Sequence, residues 1–166
     1  PVSAGLDNSI CFGESITLNA TGNGTLSWNN GVTNGQSFIV DTTKVYVAQL
    51  INSYGCITND SITITVLNLP NVDAGSNQVI CYEDSVQLIA SGANTYNWTN
   101  SSISVYDSIY VAPIATNTYY LTGTDINGCI NSDSMIISVN NLPNIVIDAI
   151  SPICYGDSIT LNATGG

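Results

Sequence analysis

The sequence predicts an all-β protein made of tandem antiparallel β-sandwich repeats. Three observations carry this expectation. Short runs alternate strictly between apolar and polar residues, charged residues are only 8% of the chain, and one motif returns at intervals of about seventy residues. Alternation with period two marks strands with one buried face. Soluble helices need many charged residues on their wet face, whereas the Ser, Thr and Asn abundant here suit strands and turns. Hydrophobic residues reach 44%, enough to fill a core.

The repeat is read most directly around the cysteines. Ile10-Cys11-Phe12-Gly13-Glu14-Ser15-Ile16 returns as Ile80-Cys81-Tyr82-Glu83-Asp84-Ser85-Val86 and again as Ile153-Cys154-Tyr155-Gly156-Asp157-Ser158-Ile159. Trp28 and Trp98 each lie 17 positions after the first cysteine of their repeat. Tyr46 and Tyr119 each lie 10 before the second, Cys56 and Cys129. Asn68-Leu69-Pro70-Asn71 matches Asn141-Leu142-Pro143-Asn144. These matches divide the chain into repeat one, 1–69, repeat two, 70–142, and the opening of repeat three, 143–166. No Gly/Ser-rich tether separates them, so repeats set end to end as a rod are expected.

Within each repeat the strands follow in order. Ile16, Leu18 and Ala20 form an inward row, repeated by Val86, Leu88 and Ala90 and by Ile159, Leu161 and Ala163. Leu26 with Trp28, and Tyr96 with Trp98, come next. Asn29-Asn30-Gly31 and Asn34-Gly35 supply turn residues that tolerate positive φ. Tyr46, Ala48 and Leu50 match Tyr119, Leu121 and Gly123. Ile62, Ile64 and Val66 match Met135, Ile137 and Val139. A Cys…Trp…Tyr…Cys order over six or seven short strands indicates a small immunoglobulin-like sandwich.

Small sandwiches bury little surface, so covalent staples matter. Four cysteines allow three pairings, and only Cys11–Cys56 with Cys81–Cys129 gives each repeat its own bridge. A loop of about 46 residues closed this way would stabilise by roughly 4 kcal/mol. Cys154 matches the opening cysteine, and its partner is expected beyond residue 166. Disulfides imply an oxidising, extracellular setting. Zinc would need His or a third ligand, and His is absent.

A net charge of −11, with Lys44 the single base, excludes nucleic acids and anionic lipid as partners. No apolar run approaches the roughly 18 residues of a membrane span. Catalysis lacks its usual reagents: there is no His, and the adjacent Glu83 and Asp84 read as a solvated turn. The expectation is therefore no enzyme and no catalytic residue. Lys44 is matched by Asn117, which argues against a repeated Lys–Asn isopeptide staple. Glu14, Asp60, Asp73, Asp84, Asp133 and Asp157 are the candidates for a weak calcium site, since calcium takes clustered oxygens. No cofactor other than calcium is expected.

The opening (Ala4-Gly5, Ile10-Cys11, Gly13 to Ile16, Leu18, Ala20, Gly22) and the closing (Tyr119, Asp125, Gly128-Cys129, Asp133 to Met135, Ile137, Val139) resemble a known family. They are similar to the Ig-like, PKD-like repeats of very large cell-surface proteins of Bacteroidota-type gliding bacteria. Such arrays form the stalks of SprB-like gliding adhesins exported by the type IX secretion system. Repeat two departs with Glu83 in place of the usual glycine, and repeat three has Asp148-Ala149 in place of Ala-Gly. The resemblance implies structural stalk repeats of a cell-surface adhesin or filament, partnered by neighbouring repeats of the same chain or by like filaments. The alternative is a module binding surface polysaccharide through Tyr54, Tyr82, Tyr106 and Tyr155. The resemblance also implies O-glycosylation at Asp-Ser/Thr triplets, here Thr42, Ser61, Ser85, Ser108, Ser134 and Ser158.

Overall fold

The structure, a computed structural model, describes residues 1–99, 106–147, 149 and 152–165; Asp148, named above, lies outside them. Among the described residues all regular structure is β-strand. Repeat one opens with β1 (Asn8–Cys11) and β2 (Ser15–Thr17), followed by β3 (Thr25–Trp28) and β4 (Ser37–Ile39). Two long strands close it, β5 (Lys44–Ile51) and β6 (Ile57–Leu67). One sheet has the order β1-β6-β5-β3, and β2 pairs with β4 in the other. β5 and β6 form an antiparallel hairpin with Tyr46 opposite Ile62, and β3 joins it antiparallel with Trp28 opposite Ala48.

β1 is different. It lies parallel to β6, with Asn8 beside Ile64 and Cys11 beside Leu67. Asp7 Oδ1 starts this pair by accepting from Thr63 N at 2.7 Å, while on the other edge of β6 Thr43 Oγ1 extends the β5–β6 ladder by accepting from Val66 N at 3.0 Å. The alternating rows named from the sequence fill the space between the sheets. Leu18, Ala20, Trp28, Tyr46, Ala48, Ile62 and Ile64 are all buried. Ala4, Ile10 and Val40, which the alternation did not mark, join them. Phe38 meets Tyr46 edge to face, with ring centres 5.5 Å apart.

Repeat two uses the same plan. β7 (Gln78–Cys81), β8 (Val86–Ile89), β9 (Thr95–Trp98), β10 (Ser108–Val111), β11 (Asn117–Thr124) and β12 (Ile130–Asn140) give a sheet β7-β12-β11-β9 and a pair β10-β8. β7 again runs parallel to β12, with Cys81 beside Asn140. Leu88, Trp98, Tyr119, Leu121, Met135 and Ile137 are buried. After residue 142 the described residues contribute the short pair β13 (Val146–Ile147) and β14 (Ala163–Thr164). The inward row expected at Ile159, Leu161 and Ala163 is exposed, because among the described residues no facing sheet covers it.

This strand order, with a buried Trp on the third strand, is the immunoglobulin-like sandwich. The inter-sheet cystine of antibody domains is missing, because the cysteines here stand at strand ends. Two compact units result. The first gathers Pro1–Asn71 with Gly92–Thr95 and Gly123–Asn131, and the second gathers Val72–Ser91, Tyr96–Thr122 and Ser132–Gly166.

Candidate functional site

The distinctive chemistry of this chain is at two recurrent cysteine-bearing turns. The first follows the opening strand of each repeat. Glu14 N donates to Cys11 O at 3.1 Å, Asp84 N to Cys81 O at 3.1 Å, and Asp157 N to Cys154 O at 3.0 Å. The third turn residue takes positive φ, as a type II turn requires: Gly13 at 86°, Glu83 at 72°, Gly156 at 95°. The acid at the fourth position folds back on the cysteine. Cys11 N donates to Glu14 Oε2 at 3.0 Å, Cys81 N to Asp84 Oδ2 at 3.1 Å, and Cys154 N to Asp157 Oδ2 at 3.3 Å.

The second turn precedes the closing strand. Asn52 N donates to Cys56 O at 3.1 Å, and Asp125 N to Cys129 O at 2.9 Å. The side chain of the same first residue accepts from inside the turn. Tyr54 N and Cys56 N both reach Asn52 Oδ1 at 2.9 Å, while Asn127 N and Cys129 N both reach Asp125 Oδ1 at 2.8 Å. Gly55 and Gly128 carry the positive φ that closes each loop, at 79° and 88°. Both cysteine settings are thus built from local hydrogen bonds and one residue at positive φ, which is glycine except at Glu83.

Cys11 is bonded to Cys129, with their Cα atoms 5.5 Å apart and 118 residues between them in sequence. Both belong to the first compact unit. Cys129 is fully buried, and Phe12, Leu69 and Ile130 line a shallow groove beside the bond. Asn131 Nδ2 donates to Pro70 O at 2.9 Å close by. Cys56, Cys81 and Cys154 are exposed free thiols.

The in-repeat pairings Cys11–Cys56 and Cys81–Cys129 are therefore corrected. The reason is the parallel first strand. β6 runs 11 residues from Ile57 to Leu67. Cys56 stands at its start, and Cys11 lies beside its end. At about 3.3 Å rise per residue, the two are roughly 35 Å apart. A disulfide needs Cα atoms within about 7 Å. The same geometry separates Cys81, beside Asn140, from Cys129, just before Ile130.

The acidic candidates are dispersed among backbone contacts. Glu14, Asp84 and Asp157 serve the cysteine turns. Asp60 Oδ2 accepts from Ala4 N at 2.8 Å, and Asp133 Oδ2 accepts from Ala74 N at 2.8 Å. The bonds from Ala4 N and then Ser61 N hold the Asp60 carboxyl below its ordinary range. Asp73 Oδ1 accepts from Gly75 N at 2.8 Å. Among the described residues no three His, Cys, Asp or Glu side chains come together as a metal site. Lys44 Nζ pairs with Asp41 at 3.1 Å on the surface, and Lys44 is the main cause holding the Asp41 carboxyl low. Repetition of the aspartates at 60 and 133 was the signal that could have revealed their role in anchoring Ala4 and Ala74.

Of the triplet hydroxyl residues, Thr42, Ser61, Ser85, Ser134 and Ser158 are exposed and Ser108 is half-buried. Tyr54, Tyr106 and Tyr155 are well exposed, and Tyr82 less so. Each stands on a separate turn or bend.

No protein-family model matches the chain, and no curated protein matches it. Solved structures of similar fold include the extracellular domains 3–5 of Drosophila OTK, at 12% identity over 84% of this chain and 62% of that one, TM-score 0.44. The N-terminal eight Ig domains of the Down Syndrome Cell Adhesion Molecule align at 17% identity over 88% of this chain and 25% of that one, TM-score 0.40. The insect immune protein hemolin aligns at 15% identity over 83% of this chain and 46% of that one, TM-score 0.40. The chain thus spans less than two thirds of each.

A disulfide of this kind requires an oxidising compartment. Among the described residues no helix is long and apolar enough to cross a membrane.

Proposed function

We propose that this chain is a non-catalytic structural segment, the stalk of an extracellular adhesin or filament at the cell surface. The observation that carries the reading is the Cys11–Cys129 bond. It ties the opening of one repeat to the closing turn of the next, across 118 residues. A bond so placed limits how far a pulled chain can extend, which suits load-bearing and serves no catalytic purpose. The turn acids are committed to backbone N–H groups, and His is absent from the chain.

Gliding motility, and export by the type IX system of Bacteroidota-type bacteria, are the finer reading. Their support is the opening and closing motifs, together with the repeats 1–69, 70–142 and 143–166. Glycosylation at the exposed hydroxyls of Thr42, Ser61, Ser85, Ser134 and Ser158 belongs to the same reading, with Ser108 the least accessible. Intact mass of the protein from its producing cells tests it, and a mass equal to the bare chain overturns that part.

Small-angle scattering of the full chain tests the stalk. An elongated profile is expected, and a globular one overturns it. Specific, saturable binding on a glycan array would favour the polysaccharide-binding alternative.

A further inference from the structure

We infer that the three free thiols are unfilled halves of the same staggered bond, so that an array of these repeats is cross-linked in an overlapping ladder. Each opening cysteine takes the closing cysteine of the repeat that follows. The inference rests on the repeat register and the turn geometry, and does not depend on the stalk reading.

The geometry of each half supports it. Cys81 and Cys154 are held by the same turn as the bonded Cys11, with the same N-to-O closure and the same carboxylate on the cysteine N–H. The backbone of Cys81 also sits as that of Cys11 does at the end of a parallel pair. Tyr82 N donates to Asn140 O at 2.8 Å, as Phe12 N does to Leu67 O at 2.8 Å. Cys56 is held by the same loop as the bonded Cys129. Neither Cys81 nor Cys56 can be satisfied within its own repeat, because an 11-residue strand holds the two ends apart. The complementary site for Cys56 is the opening cysteine of a preceding repeat. For Cys81 and Cys154 it is the closing cysteine of a following one.

Each bond forms with loss of two thiol protons and two electrons. A disulfide oxidant, small-molecule or protein-borne, takes them up and is reduced to two thiols.

A doubled chain tests the inference: residues 1–143 followed directly by residues 1–166. The junction keeps register, since Pro143-Pro1-Val2-Ser3-Ala4-Gly5 replaces Pro70-Asn71-Val72-Asp73-Ala74-Gly75. It places Cys56 of the second copy 118 residues after Cys81 of the first, the separation of Cys11 and Cys129. After refolding in a glutathione redox buffer and alkylation, non-reducing peptide mapping reads the bonds. The expected map holds Cys11–Cys129 in each copy and one new link, Cys81 of the first copy to Cys56 of the second. The other thiols, Cys56 of the first copy and Cys81 and Cys154 of the second, are expected to be fully alkylated. Placing Cys81→Ser in the first copy should expose Cys56 of the second to alkylation and leave the Cys11–Cys129 links intact. Alkylation of Cys81 and Cys56 at the junction, or any in-repeat link, overturns the inference. If the doubled chain fails to form Cys11–Cys129, the map of protein from its producing cells decides. Cys56, Cys81 and Cys154 found there as free thiols overturn the inference, and staggered cystines sustain it.

Discussion

Repeats one and two are two solutions of one fold, and they differ in how their tryptophans and first cysteines are held. Trp28 donates from Nε1 to Asn34 Oδ1 at 2.9 Å, and that oxygen also accepts from Ala20 N at 2.7 Å. Asn34 Nδ2 returns a bond to Ala20 O at 3.3 Å. One turn residue thus ties a strand to the central aromatic ring. Trp98 is buried more deeply, at 1% exposure against 8%, and its Nε1 has no hydrogen-bond partner among the described residues. Cys11 is bonded and Cys81 is free. Gly13 takes positive φ where Gly is at ease, and Glu83 takes it where a side chain is strained. The apolar rows, by contrast, stand at matching positions in both. Burial of the row supplies the main driving force, so polar attachments around it can change from repeat to repeat without loss of the fold.

The largest test of this comparison is covalent. Cys11→Ser opens a loop spanning 118 residues. Loop-closure entropy sets the expected loss at about 5 kcal/mol, read by guanidinium unfolding. Cys81→Ser in the same chain should leave the unfolding midpoint unmoved. Equal effects would mean the two cysteines are equivalent here, contrary to the structure.

Next in size is the tie to the tryptophan. Asn34→Ala strands Trp28 Nε1 and Ala20 N, and a loss of about 2 kcal/mol or more is expected in urea melts. Trp28→Phe should cost more than Trp98→Phe, since the first gives up a hydrogen bond to Asn34 and Trp98 Nε1 has no partner among the described residues. The reverse order would break the comparison.

A smaller effect of opposite sign belongs to the turn. Glu83→Gly should stabilise by about 1 kcal/mol, and Gly13→Ala should destabilise by a similar amount, because only glycine occupies positive φ without a steric penalty. Thermal melts of the two variants would read this.

The smallest effect is in pH. The folded carboxyl of Asp60 lies below its ordinary value of 3.8. Its contribution is complete above the ordinary carboxylate range and is lost as pH falls through 3.8 toward the folded value. Between pH 6 and pH 3 the urea midpoint of the native chain should fall slightly more than that of Asp60→Asn. Identical slopes would remove Asp60 from the account.

Much of the fold was legible because a half-buried strand writes its burial directly as alternation. The rows through Leu18, Tyr46 and Ile62 and their counterparts Leu88, Tyr119 and Met135 are buried where the period placed them. The turn signals were legible too, since Asn30, Gly31 and Gly35 take the positive φ expected of them. The aspartates at 60 and 133 were visible only as repeated acids. That each one receives the N–H of an alanine 56 or 59 residues away depends on chain crossings that no local pattern records.

What the residues determined by themselves was therefore the local and the periodic: strands, turns, the repeat and the inward faces. What only the tertiary structure decided was the direction and partner of the first strand. Alternation is the same for a strand running parallel or antiparallel to its neighbour, but the choice sends Cys11 to one end of β6 or the other. Laid parallel to β6, β1 carries Cys11 to the end remote from Cys56, and so hands its bond to the next repeat.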